Sequence, residues 1–119
     1  MYILVWNCKG AVKPPFANYT KDMMRQYNPD IMCFFETRLA ESALGRFKRL
    51  FGLCWGLYMV PTIGLSFGIV VVWKLGLEKI DFFHSNRQIA FGIVTPTVGP
   101  SWLLGALYAG TCCAEGWLL

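Results

Sequence analysis

Five apolar residues, Tyr2 to Trp6, end abruptly at Asn7, with Cys8, Lys9 and Gly10 just behind. The run has the length of a buried strand, and Gly10 signals a break in regular structure. The stretch reads as a strand that carries one polar side chain to the edge of a sheet. Ile31 to Phe35 repeats the layout and runs into Glu36. Between them, Phe16, Tyr19, Met23 and Tyr27 recur at spacings of three and four. Lys21, Asp22, Arg25 and Gln26 fall largely between these. That spacing predicts an amphipathic helix over 16–27, entered through Pro14-Pro15 and stopped by Asn28-Pro29-Asp30. Strands joined by a helical crossover are normally parallel. If the two are neighbours, Asn7 and Glu36 share the sheet edge at which α/β proteins place their sites.

Glu41 to Phe51 reads as a second helix ended by Gly52, with Leu44, Phe47, Leu50 and Phe51 on one face. From there the pattern changes to strands. Cys54 to Val60 is one, and Gly64-Leu65-Ser66 is a turn. Phe67 to Trp73 is a near-continuous apolar run, which suits a central strand buried on both faces. Glu78 to His84 follows. Ser85-Asn86-Arg87 suits a hairpin turn into Gln88 to Val94, where Ile89, Phe91 and Ile93 share a face. Ser101 to Tyr108 reads as the last strand, with Trp102, Leu104, Ala106 and Tyr108 on one side. The fold class is therefore α/β, with one domain over residues 1–110. The remaining stretch, 111–119, is expected to be an irregular tail. Nothing after Tyr108 is expected to cover the sheet, which fits a truncated domain.

Composition sharpens that expectation. In 119 residues, 55% are apolar and only 15% charged. Such a chain either buries nearly everything or leaves apolar surface, so self-association through an uncovered sheet is one outcome. The net charge of +4 mildly favours a polyanionic partner without the dense basic stripe of a dedicated nucleic-acid binder. The cysteines, at 8, 33, 54, 112 and 113, form no C-x-x-C pair. They read as free thiols in a reducing, intracellular compartment. No signal peptide is evident, and the most apolar stretch, Tyr58 to Trp73, is too short and too interrupted to span a membrane.

Five blocks then stand in order: Trp6-Asn7-Cys8-Lys9-Gly10, Pro29-Asp30-Ile31, Glu36-Thr37-Arg38, Gly64-Leu65-Ser66-Phe67-Gly68 with Val72-Trp73, and Trp102-Leu103-Leu104 with Leu107-Tyr108. Their order and spacing resemble the N-terminal half of the endonuclease/exonuclease/phosphatase family. The resemblance is in particular to the apurinic-type endonuclease domain of plant LINE-type non-LTR retrotransposons and genes derived from them, and it covers residues 1–110. It implies a four-layer α/β sandwich, of which this chain is the truncated half. It also implies a divalent-metal phosphodiesterase acting on DNA, nuclear if retrotransposon-derived. Glu36 takes the metal-binding position, and Asn7 helps to hold the metal and phosphate geometry. Tyr108 takes a position that touches the scissile phosphate. The implied ion is Mg2+, with Mn2+ as an alternative. Magnesium takes one or two protein carboxylates and fills its remaining positions with water and phosphate.

The departures are as informative as the match. The family's Asp-x-Asn pair and its late Asp and His have no counterpart here. Asp22, Asp30, Asp81 and the single histidine, His84, stand outside those motifs. Phe67 replaces a glycine usual in its block. Simpler readings stay open for the same residues. Glu36 also reads as a strand-end carboxylate pairing with Arg38 or Lys9, Asn7 as a turn residue, Tyr108 as a core residue and His84 as a strand end without a role. Lys9, Lys13, Lys21 and Arg25 suit a solvated face, and Trp6, Trp73 and Trp102 suit the core. For the whole chain, a phosphodiesterase fragment inactive alone stands against a non-catalytic remnant or interaction module. A small membrane-associated protein rests only on the apolar content.

Overall fold

Alternating apolar runs and one amphipathic helix leave few ways to hide so much apolar surface. The computed structural model describes residues 1–11, 13–61 and 67–108, with the backbone of 112–118. The elements in chain order are β1 (Ile3–Asn7), α1 (Pro15–Tyr27), β2 (Ile31–Phe35), α2 (Leu44–Phe51), β3 (Trp55–Val60), β4 (Ile69–Lys74), β5 (Glu78–Ser85), β6 (Ile89–Pro96), β7 (Trp102–Tyr108) and β8 (Cys112–Leu118). One sheet has the order β1-β2-β4-β3 and the other β5-β6-β7-β8. β1 and β2 pair in parallel, as their helical connection requires, with Asn7 opposite Phe35. The remaining pairs are antiparallel.

β2 and β4 hold the centre of the first sheet, so both of their faces are buried. On one face, Met32, Phe34, Val70 and Val72 pack under the helices against Phe16, Leu39, Phe47 and Phe51. Phe34 touches the rings of Phe16, Phe47 and Phe51 at centroid distances of 5.6, 5.6 and 5.9 Å. On the other face, Ile31, Cys33, Phe35, Ile69, Val71 and Trp73 meet Ile80, Ala90, Val94, Leu104 and Ala106 of the second sheet. Tyr58 bridges the sheets by stacking on Phe82 at 4.0 Å and sharing a 2.6 Å hydrogen bond with Ser85. The described residues thus form three layers, helices, sheet and sheet.

Three expectations are corrected. The second helix begins as a separate 3-10 turn, Glu41–Ala43, and α2 proper starts at Leu44. Ile89, Phe91 and Ile93 share a face of β6 as expected, and the face turned to the core is the other, with Ala90, Gly92 and Val94 buried. Glycine suits position 92 because side chains of the paired strand β5 fill the space beside it. A β-carbon on Gly92 would lie 2.9 Å from Ile80 and 3.2 Å from Phe82. A bulge between Phe82 and His84 then turns Phe83 outward, 62% exposed, onto the Phe91 side. The tail is not irregular: β8 pairs with β7 from Tyr108↔Cys112 to Trp102↔Leu118. Ala114 and Gly116 blunt its alternation, so the ladder to β7 rather than its own pattern makes it a strand. For the same reason β7 is not the last strand. The predicted turn at 64–66 lies outside the described residues.

At the sheet end away from Asn7, Asp30 accepts the Tyr2 amide at 2.8 Å and stands 3.9 Å from the Lys74 ammonium. Lys74 also donates to Asn28 at 2.6 Å. Glu78 is buried nearby, only 5% exposed, and its Oε2 has no hydrogen-bond partner among the described residues. Burial pushes its carboxyl above the ordinary value and Asp30 adds to this, while Lys74 and the N-terminal amine oppose it. A carboxyl raised on folding stabilises fully below its unfolded pKa of about 4.3, and that contribution is lost as pH rises through the folded value. Glu78→Gln is therefore expected to be more stable than the parent at pH 7 and equal to it near pH 4, read from urea midpoints at both.

Candidate functional site

The parallel register that sets Asn7 opposite Phe35 places Glu36 one residue past the end of β2. Beyond the strands, the chains stay zipped. The Cys8 amide donates to the Phe35 carbonyl at 3.1 Å, and Gly10 and Ala11 donate to Glu36 and Thr37, both at 2.8 Å. On the other side, Thr37 and Arg38 donate to Gly68 and Phe67 at 3.2 and 3.1 Å. The Glu36 loop is thus clamped between the exit of β1 and the entry to β4.

That clamp sustains an unusual backbone. Lys9, Glu36, Arg38 and Phe67 all adopt positive φ, at 51°, 51°, 52° and 70°. Each costs on the order of 1–3 kcal/mol, which persists only where the surroundings over-determine it. The approach of the strands is one such determinant. A β-carbon on Gly68 (φ 101°) would lie 2.3 Å from the Thr37 hydroxyl, which is itself fully buried. The left-handed turn at Glu36 brings its side chain to the second sheet. There the Tyr108 hydroxyl, at the end of β7, donates to Glu36 Oε1. Arg38 stands 3.9 Å from Glu36 Oε2. Phe35 stacks on the Tyr108 ring at 6.2 Å and 22°. The Tyr108 amide donates to the Gln88 carbonyl at 2.7 Å, which fixes the strand end.

Asn7 is half-buried, and its Oδ1 is buried with no hydrogen-bond partner among the described residues. Such an orphan acceptor costs about 1–3 kcal/mol unless something polar meets it. The Cys8 thiol donates to the Phe35 carbonyl at 3.4 Å. Burial pushes its pKa up to about 11, with the Glu36 charge adding to this and the Gly10 amide and Arg38 opposing it, so at neutral pH it is a thiol and no nucleophile.

Asn7, Glu36 and Tyr108, three residues singled out from the sequence, therefore converge on one sheet edge, and the Glu36–Arg38 pair of the simpler reading is present beside them. His84 is not part of this site. It lies exposed on the outer face of β5, stacked on Phe91 at 6.3 Å. Asp22 pairs with Arg25 on α1, Asp30 with Lys74, and Asp81 with Lys79 on the surface. Among the described residues no three His, Cys, Asp or Glu side chains gather as a metal cluster. Trp6 stacks on Phe16 at 5.3 Å and Trp73 belongs to the inter-sheet core, with Trp102 packed against it. Lys9, Lys13, Lys21 and Arg25 are exposed. A cavity of about 210 Å³, lined by Lys13, Phe16, Leu39, Arg46 and Phe47 among others, lies on the helical side, away from Tyr108.

Two residues with no role in the sequence reading join the site. The Phe67 ring meets Tyr108 edge-on at 6.0 Å and 85°, and the Arg87 guanidinium covers that ring at 5.5 Å. Phe67 carried one signal, an aromatic residue where the resembled family has glycine. Its φ of 70° explains why glycine suits the position. Arg87, in a polar hairpin turn, carried none.

No family model and no curated protein match the sequence. Solved structures do match the fold. A 3′-5′ exonuclease, NExo, from Neisseria meningitidis superposes with a TM-score of 0.56 at 15% identity, over 87% of this chain and 40% of its own. A Neisseria NExo described as a 3′ phosphatase bound to a product DNA hairpin gives 0.53 at 15% identity, over 85% of this chain and 39% of its own. TDP2 from C. elegans gives 0.51 at 18% identity, over 85% of this chain and 33% of its own. The chain thus spans about two-fifths of the length of the exonuclease structures it resembles. Its α/β architecture of two packed sheets with flanking helices is the fold of these exonuclease- and phosphatase-type proteins.

Proposed function

We propose that this chain supplies the metal-anchoring half of a DNA phosphodiesterase of the retrotransposon endonuclease type. The observation that carries the reading is the convergence at one sheet edge. A strand-end carboxylate, Glu36, is engaged from the opposite sheet by Tyr108. At the end of the neighbouring strand, Asn7 holds a buried oxygen without a hydrogen-bond partner among the described residues. This donor set fits magnesium in kind. Both are hard oxygens, and one carboxylate plus an amide oxygen leaves positions for water and phosphate. Glu36 would anchor the ion and Asn7 would complete or orient the set, with manganese as an alternative ion. A bound ion would polarise the phosphoryl oxygen and stabilise the displaced group. Tyr108 offers a hydroxyl, and Arg38 a cation, to a phosphate oxygen. The net charge of +4 favours DNA as polyanion, and the neighbour bound to a DNA hairpin supports that partner. A retrotransposon-derived chain of this kind would act in the nucleus.

Within the described residues no histidine or second carboxylate joins Glu36 to activate water. The 119 residues alone are accordingly expected to bind the ion weakly and to cleave nothing. Mn2+ binding followed by electron paramagnetic resonance should weaken at least roughly tenfold in Glu36→Gln, the lower bound for disturbing a metal's ligand set. Plasmid nicking should be absent with or without magnesium. Equal Mn2+ binding by parent and variant would remove the metal reading. Magnesium-dependent nicking lost in Glu36→Gln would remove the half-site reading.

A second reading, an interaction module, is favoured by one observation. Phe83 is 62% exposed and stacks on Phe91 at 6.3 Å on the outer face of the second sheet. Such a surface pair suits pairing with another apolar face. The purified chain is expected to self-associate with rising concentration in sedimentation velocity, and Phe83→Ser to reduce this severalfold. A dispersed monomer with a cooperative melt contradicts it. No helix among the described residues is long and apolar enough to cross a membrane.

A further inference from the structure

We propose that Phe67 is a positioning residue of the Glu36 site, holding the Tyr108 ring and the Arg38 main chain, the two residues whose side chains meet the carboxylate; this rests on the reading of Glu36 as a metal anchor. An aromatic residue at φ 70° is a poor choice for the left-handed region, where its β-carbon crowds the following carbonyl, and the next residue, Gly68, already supplies a left-handed turn at 101°. A side chain kept there at a conformational cost is expected to do something that glycine cannot.

Its contacts say what. The ring meets Tyr108 edge-on at 6.0 Å, while Phe35 stacks on the Tyr108 face at 6.2 Å. The tyrosine is thus held from two directions, by a ring at the end of β2 and one just before β4, and its hydroxyl is delivered to Glu36 Oε1. The Phe67 carbonyl accepts the Arg38 amide at 3.1 Å, and Arg38 faces Glu36 Oε2 at 3.9 Å. One residue therefore reaches both partners of the carboxylate, through its ring on one side and its backbone on the other. Arg87 covers the ring at 5.5 Å and limits where it can swing. A residue that only filled space would alter stability and leave the Tyr108–Glu36 contact as it was.

The test uses the whole chain labelled with [13Cζ]tyrosine, the Tyr108 line being assigned by its loss in Tyr108→Phe. Phe67→Gly suits the backbone and removes the ring. Phe67→Leu keeps bulk without the ring, and decides the matter should the glycine variant fail to fold. Phe67→Tyr keeps the ring. In the first two, the Tyr108 resonance should move toward its position in Glu36→Gln, and Mn2+ affinity should fall on the order of tenfold, as for loss of an outer-sphere partner. In Phe67→Tyr both should stay at the parent values. An unmoved Tyr108 resonance in folded Phe67→Gly or Phe67→Leu overturns the proposal, as does a Phe67→Tyr variant that behaves like them. If the parent chain binds no Mn2+, the metal reading fails, and the resonance alone still decides the positioning role.

Discussion

Every residue of β2 is sealed from water, and the rest of the molecule is arranged around that fact. Its odd positions, Ile31, Cys33 and Phe35, face the second sheet, while Met32 and Phe34 face the helices. Fully burying side chains of this size is worth about 1.5–3 kcal/mol each, so β2 alone contributes on the scale of a small domain's net stability. A strand buried on both faces needs neighbours on both edges. β1 satisfies one in parallel and β4 the other antiparallel. The chain can become polar only where β2 ends, and it does so at Glu36. The place of the candidate site is therefore a consequence of packing before it is one of chemistry.

What happens past that end is governed by backbone pairing rather than by apolar burial. Hydrogen bonds from Gly10, Ala11, Thr37 and Arg38 continue the ladders beyond the strands. They hold four non-glycine residues at positive φ within one cluster. Strain concentrated at a single sheet edge, beside an orphaned Asn7 oxygen and a carboxylate reached from the other sheet, is a pattern typical of sites that bind something. It stands in contrast to the opposite end. There Asp30, Lys74 and Asn28 satisfy one another beside the buried Glu78, and the one positive φ among these residues is that of Asn28, which caps α1 in the left-handed turn an asparagine tolerates.

The parts legible in the sequence are those with strong contrast. β1, α1 and β2 alternate between long apolar runs and a clear helical period, so the parallel start and the shared edge of Asn7 and Glu36 could be read directly. β4, a run of β-branched residues, could be read the same way. The lost parts are those where contrast fails. Ala90 and Gly92 are too small to mark the buried face of β6, and the larger Ile89, Phe91 and Ile93 share the other face. Ala114 and Gly116 hid β8. The contact of Phe67 with Tyr108 joins residues 41 positions apart through a backbone angle that no local pattern encodes. His84 lies exposed on β5, and its outward direction comes from a bulge that no local pattern encodes.

Asn7, Glu36 and Tyr108 are proposed to form one half of a divalent-metal site. Paramagnetic broadening of backbone amide resonances by substoichiometric Mn2+ tests it most directly, because it reports where the ion sits without requiring catalysis. The account predicts broadening centred on Asn7, Cys8, Glu36 and Thr37, abolished in Glu36→Gln. Broadening confined to the surface carboxylates Asp22 and Asp81, and unchanged in that variant, would contradict it.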